Sequence, residues 1–467
     1  MIFTNSQNNN QNPNKITVYV KNEAVKNALV ANGTFNGVIK VMDEIDNSGD
    51  IAGSMTDGAD TVYVPAGNYT FPSSSVTEGD TIVCAPGTVF EGTTSLNVNG
   101  ATVVGGTFTN DSGYAVSGTV NGTFKDCVFE ASEALRWCYT NEGETVVFEN
   151  CVFKTDFRGI HFDAMNGDVI FRNCEINGFN AFSGNGTMTF EGCTFGYDES
   201  SYNGLNIYTN TTIKDFIFNY KSGKTDFIDM EGTGKTLTIT NCVATQDGET
   251  IDIKSKIGGS KLAQNTVKVD GDYFVTSSEA LKAAIEAKAS KIVLANGDYS
   301  VRFTNNTSFN ADNMTFVGLG DKVNVAVTSS EVWYGRIQGD NMTFENIHFT
   351  DDVGSTGKAT YNNCVFDGWA ICAAKNVETA FNKCTIKGCL NTSSDFDSGN
   401  VYAKDSKIAK AEYSFGSDAS AMNFENCEIG ELISWNANTV LTNCTVTTLD
   451  DTHMTTNTIT INESVVG

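Results

Sequence analysis

The residue types best suited to chemistry fall at alternate positions of four short segments: FRGIHFDA (157–164), GLNIYTN (204–210), TDFIDMEG (225–232) and ETIDIKS (249–255). If Ile160 and Phe162, Leu205 and Ile207, Ile228 and Met230, and Ile251 and Ile253 point inward, alternation aims the residues between them outward. His161, Asp163, Asn206, Tyr208, Asp229, Glu231, Asp252 and Lys254 would then line one face of a stacked sheet, with Trp137 at about the same phase one segment earlier. Rings stack on sugar faces, and carboxylates bind hydroxyls or serve as acid and base, so such a strip suits a saccharide. Rows of a sheet lie about 4.8 Å apart. Carboxylates in neighbouring rows would therefore meet the roughly 5–9.5 Å separation of a glycosidase pair. Against hydrolysis, the strip reads as open and without flanking Arg or Lys, whereas a general acid needs its pKa raised by burial or a close like charge. The expectation is a ligand-binding strip of Trp137, His161, Asp163, Asn206, Tyr208, Asp229, Glu231 and Asp252, with no catalytic residue, metal or cofactor.

The elements that would position this strip are visible as a repeat. Blocks recur as FKDCVF ending at Phe129, FENCVF at Phe153, FRNCEI at Ile176, FEGCTF at Phe195, ITNCVA at Ala244, YNNCVF at Phe366, FNKCTI at Ile386, FENCEI at Ile429 and LTNCTV at Val446. VVGGTF, IKDFIF, FENIHF and AKDSKI keep the frame without the cysteine. The period is near 21 residues, which suits a leucine-rich repeat or a β-helix coil. Phe, Val, Ile and Thr in period-2 alternation, without fixed Leu or a helix per repeat, select the β-helix. Asn150, Asn173, Asn241, Asn363, Asn426 and Asn443 immediately precede a Cys. Asn tolerates the left-handed conformation of a tight corner, and the Cys after it packs inward. The 13 cysteines thus read as a reduced core ladder, since no CxxC or Cys/His zinc set is present and disulfide geometry is demanding.

At 467 residues the chain is long enough for more than one core. Residues 1–14 read as a flexible polar arm that docks on a partner; residues 15–58, a small docking or capping module, hold a strand-like ITVYV and a short helix stopped at Asn32-Gly33. The first β-helix is expected over 59–257, ending in the linker KIGGSKLAQN, and a capping helix with a second β-helix over 258–467. Thr276 and Glu279 suggest a capping box ahead of SEALKAAIEA, and KIVLANGDYSV restates the earlier DTVYVPAGNYTF. The fold class is all-β: two tandem right-handed parallel β-helix (β-solenoid) domains with short capping helices.

A formal charge of −26 repels nucleic acid and anionic lipid surfaces, and no apolar run is long enough to insert in a membrane. MIFTNSQNNNQNPNK lacks the charged and apolar regions of a secretory signal. The capping helix, the VYVPAGNY start and the Asn-Cys ladder resemble the pectate-lyase-like superfamily of right-handed β-helices over about 60–460. That resemblance implies the fold firmly; its members include polysaccharide lyases, glycoside hydrolases, surface adhesins and phage tailspikes or fibres. The NTD, DD, GHG and RIK blocks of the polygalacturonase-like hydrolases are absent as a set, and no lyase motif surrounds Arg136, Arg158, Arg172, Arg302 or Arg336. The expected function is a non-catalytic structural or display protein, foremost a phage virion surface component (head decoration, head fibre or tail fibre). Its expected partners are other virion or surface proteins through the arm, with glycans as ligands and oligomers allowed. The alternatives are a carbohydrate-active enzyme and a bacterial cell-surface adhesin, which would place the chain extracellularly.

Overall fold

The computed structural model describes residues 2–4, 17–20, 23–32, 38–41, 43–44, 51, 61–72, 76–155, 157–196, 204–221, 228–303, 309–330, 332–392, 399–412, 421–435, 437–454 and 457–467. The chain is all-β and divides into two compact units, Met1–Asn265 and Thr266–Gly467, each wound as a parallel β-helix.

Each coil carries three short strands, and the block repeat marks the first two. In the first unit Thr145–Glu149 forms the first face, Asn150 turns the corner, Val152–Lys154 forms the second face and Arg158–Met165 the third. The next coil pairs in parallel with each: Val146 with Val169, Phe153 with Ile176, and Phe162 with Phe182. Alternation aims Phe148, Phe153 and Phe162 into the core, where all three are fully buried. Because coils are in register, identical residues stack. Phe148 lies 5.0 Å from Phe171, which lies 5.1 Å from Phe190; in the second unit Phe344 lies 5.0 Å from Tyr361, itself 5.1 Å from Phe381. Each such ring contributes roughly 1.5–3 kcal/mol through burial.

The corners explain the Asn-Cys pairs. Asn150, Asn173, Asn363, Asn426 and Asn443 all have φ between 51° and 55°, the left-handed region that Asn enters at least cost among the larger residues. Their side chains bond along the stack, Asn363 Nδ2 to Asn346 Oδ1 at 2.7 Å and Asn443 Nδ2 to Asn426 Oδ1 at 2.8 Å. The thiol that follows donates to corner carbonyls: Cys364 Sγ lies 3.4 Å from both Phe344 O and Asn362 O. All 13 cysteines are free thiols and all but the half-buried Cys242 are buried. Burial pushes the pKa of the ladder thiols Cys151 and Cys174 well up, and raises that of Cys372 on the third face to about 12.

Four local expectations change. Ile2–Thr4 pairs antiparallel with Thr17–Val20, which pairs in parallel with Val38–Val41, so the first residues belong to a small sheet rather than to a free arm. The rest of that arm, 5–14, lies outside the described residues. The helix of this module runs Glu23–Ala31 and ends at Asn32, whose N–H reaches Ala28 O. Asp43–Glu44 already pairs with Val62 and Tyr63, so the module leads directly into the first coil.

The capping helix of the second unit, Ser278–Glu286, is capped by Ser277 rather than Thr276. Ser277 is extended and its Oγ accepts from Ala280 N, the geometry an N-cap needs. The helix buries Leu281, Ala284 and Ile285 over the end of that core. Finally, KIGGSKLAQN is not a loose linker. Ile257–Gly258 pairs with Ile228–Asp229 as another row of the first unit, and buried Asn265 donates to Gly232 O and Lys261 O and accepts from Lys235 N.

Candidate functional site

The strip lies on the third face of the first unit, and its starting point is a bulge. Val116 pairs with Leu135 and Gly118 with Cys138, so Arg136 and Trp137 together oppose the single residue Ser117. Two successive side chains leave the core side at once, and Trp137 takes φ 55°, where a bulky side chain is strained by roughly 1–3 kcal/mol. The Trp137 ring is 45% exposed. Arg136 lies over it, with Cζ 4.2 Å from the ring centre, and the His161 ring stands 5.2 Å away on the next coil.

Charges converge behind these rings. Arg136 Nη1 lies 2.9 Å from Glu133 Oε2, an ionic contact without hydrogen-bond alignment, and Glu133 sits in register with Arg158. His161 Nε2 lies 3.3 Å from Asp163 Oδ1, while its buried Nδ1 has no hydrogen-bond partner. Burial, followed by the Arg136 charge, holds the His161 pKa below 6.5 against the pull of Asp163 and Glu133.

Further along, register places His161 over Ala181, Ala181 over Asn206 and Asn206 over Asp229. A parallel row runs from Asp163 through Ser183, whose Oγ bonds Asp163 O, to Tyr208 and then Glu231. Asn206 keeps a buried Oδ1 without a hydrogen-bond partner. Tyr208 is exposed, and partial burial followed by the Glu231 charge raises its pKa.

Trp137, His161, Asp163, Asn206, Tyr208, Asp229 and Glu231 are therefore brought to one face, and Ile160, Phe162, Leu205, Ile207, Ile228 and Met230 are buried beneath them. Asp252 is not in this row. Asp229 pairs with Gly258, while Glu249–Ile251 folds back antiparallel on Val243–Gln246. Asp252 instead caps the 3₁₀ turn Ile253–Lys256, its Oδ1 accepting from Lys254 N at 3.0 Å. A polar residue between two apolar ones looks the same in a strand and at the entry to a short turn, so alternation misplaced it. Glu231 faces the strip, but both its oxygens bind Ser260, at 2.9 Å from N and 2.5 Å from Oγ, so it also fastens the last loop of the unit.

Two further expectations are corrected. The strip is flanked by cations, Arg136 and Arg158, which the bulge and the adjacent strand deliver. A bulge shifts the alternation by one, so counting alternate residues from His161 missed Arg136 and Glu133; the signal available was the charged-aromatic string EALRWCY breaking the period. The carboxylates, moreover, do not alternate between neighbouring coils: Asp229 and Glu231 share one row, two positions and about 7 Å apart along the chain, whereas Asp163 lies in a distant row. Asp163 and Glu231 are three rows apart, about 14 Å at the usual sheet spacing, beyond the roughly 9.5 Å reach of an acid–base pair.

No family model matches the chain, and no curated protein matches it. Among solved structures, it is similar to the PL6 family alginate lyase AlyGC, at 10% identity over 97% of this chain and 100% of that one, with a TM-score of 0.24. The catalytic domain of a GH87 alpha-1,3-glucanase in complex with nigerose aligns at 12% identity over 91% and 68%, with a TM-score of 0.14.

Proposed function

We propose that this chain is a non-catalytic display scaffold that binds a glycan along the third face of its first unit. The observation that carries the reading is the bulge at Arg136-Trp137, which holds a strained, exposed indole beside His161 in a polar strip. A saccharide ring would lie against Trp137, with hydroxyls bonded by the exposed Asp163 carboxylate and Tyr208 hydroxyl of the same face. Asp163 stands too far from Glu231 for an acid–base pair, and Glu231, though only two positions from Asp229, has both oxygens engaged by Ser260, which supports binding over hydrolysis. Display on a virion surface, as a head decoration or fibre, is the setting this reading favours, with the N-terminal sheet and helix serving as the docking module; a cell surface would use the same face.

Glycan-array binding, paired with a polysaccharide turnover assay with and without Ca²⁺, tests the proposal. Trp137→Ala should lower affinity up to about tenfold, in line with the ~0.5–1.5 kcal/mol scale of an aromatic contact. Release of reducing ends or unsaturated uronides that disappears in Asp163→Asn/Asp229→Asn/Glu231→Gln would establish an enzyme instead. Absence of any glycan bound through Trp137 would refute the binding role.

A further inference from the structure

The second unit carries an aromatic and cationic cleft on its own third face. After the first-face strand Met342–Glu345 and the second-face strand His348–Phe349 comes Val353–Ser355, which pairs with Gly335–Gln338 of the preceding coil and Ala370–Cys372 of the following one. Register stacks Arg336, Gly354 and Ile371 in one outward row. Gly354 is needed there: a Cβ would meet the Tyr334 ring at 2.4 Å, so the ring lies flat across bare backbone and packs with Ile371 and Ala373. Trp333 and Trp369 stand edge to face beside it, 5.5 Å apart, and Trp333 is 54% exposed. Among the described residues, the exposed tryptophans are Trp137 and Trp333, each at the third face of its own unit and each close in sequence to an arginine.

Next to this aromatic group opens a cleft of about 790 Å³, lined by Tyr334, Arg336, Gln338, Asp312, Asp340 and Lys375 among others. Its carboxylates are already used: Asp312 Oδ1 accepts from Asp340 N at 2.7 Å and Asp340 Oδ1 from Lys358 N at 3.1 Å, both fixing the corner. Arg336 is different. Its Nε is buried without a hydrogen-bond partner, and no carboxylate pairs with it among the described residues of a chain whose net charge is −26. A guanidinium held in such surroundings without an acid is a planar fork awaiting an oxyanion. Aromatic faces beside it, and a volume within the range of small-ligand sites, select a sugar that carries the anion.

We propose that this cleft is a second glycan site, specific for a carboxylated sugar (a uronic acid residue), with Arg336 binding the carboxylate and Trp333 packing on the ring. The ligand class follows from the glycan-binding reading of the first unit, but the residues are wholly those of the second. Tetrasaccharides of glucuronate, galacturonate and mannuronate, with their carboxyl-reduced counterparts, are titrated into the full chain by calorimetry and tryptophan fluorescence. The Trp137→Phe background separates the sites.

In that background, at least one uronate series should still bind and quench fluorescence. Trp333→Ala should weaken it about tenfold, and Arg336→Gln should reduce the preference over the carboxyl-reduced sugar from roughly tenfold to near one. Arg336→Lys, which keeps the charge but not the fork, should fall between. All variants are checked for an unchanged melting temperature, and a variant that melts early is replaced by Arg336→Met or Trp333→Tyr. Binding that vanishes in Trp137→Phe and ignores Trp333→Ala overturns this site while leaving the first intact. Binding that survives Trp137→Phe but fails in Trp333→Ala supports this site even if the first-unit reading is lost. No uronate binding, or equal binding of a poly-glutamate peptide, overturns it.

Discussion

His161 is kept neutral by its surroundings. Burial and the neighbouring Arg136 guanidinium push its pKa down, whereas Asp163 and Glu133 pull the other way. Its folded pKa therefore lies below the unfolded value near 6.5. The unfolded chain then takes up the proton first, so the contribution of neutral His161 to stability is present above pH 6.5 and is lost as pH falls through that value toward the folded pKa. Arg136→Gln should raise the NMR titration midpoint of His161, and Asp163→Asn should lower it further. A midpoint unmoved by Arg136→Gln would show that the guanidinium does not act on the imidazole. Alternation in the sequence was enough to aim His161 and Asp163 outward, because a regular strand fixes side-chain direction with period 2. It was not enough for Arg136, because a bulge interrupts that period and the interruption depends on the neighbouring coils.

At the scale of the element, the bulge in Val128–Thr140 stores strain in a single residue. Replacing Trp137 by Gly relieves roughly 1–3 kcal/mol of left-handed strain. It forfeits about 0.5–1 kcal/mol of contact with Arg136, a similar amount with His161, and about 0.5–1 kcal/mol of backbone entropy. These nearly cancel. Trp137→Ala loses the same contacts and keeps the strain, so Gly should be the more stable of the two by about 1 kcal/mol, or some 2–4 °C in melting temperature for a unit of this size. That order reverses the usual penalty for Gly in a strand, and thermal melts finding Ala more stable would show the residue to be unstrained. The corners were legible where the bulge was not. Asn before Cys states its φ in the residue type, whereas Trp at φ 55° contradicts its own preference and is readable only once the neighbouring strands are in place.

For the molecule as a whole, the coil period and the buried thiols were written in the block repeat, and the two similar starts in DTVYVPAGNYTF and KIVLANGDYSV. Less legible was how each unit closes. Residues 257–265 have the glycines and lysines of a linker, yet Asn265 and Ile257 tie them to the last coil through contacts with residues some 30 positions earlier, which composition does not record. The same long-range register makes the interior of each unit uniform. Asn150 and Asn173 share nearly the same φ, Phe129, Phe153 and Ile176 occupy one row, and Phe148, Phe171 and Phe190 another.

One turn of the first unit is consequently an interchangeable cassette. Excising residues 151–173 would splice Asn150 to Cys174, one left-handed corner to the thiol that normally follows another, and would leave Phe129 facing Ile176 and Phe148 facing Phe190. The shortened chain should fold cooperatively, with a lower urea m-value in proportion to the surface lost, since each turn contacts mainly its neighbours. An aggregated or molten product would mean that the turns are not equivalent. The length of such a protein is then a setting that can be changed one turn at a time, and here the omitted turn takes His161 and Asp163 with it, so reach and recognition are edited together.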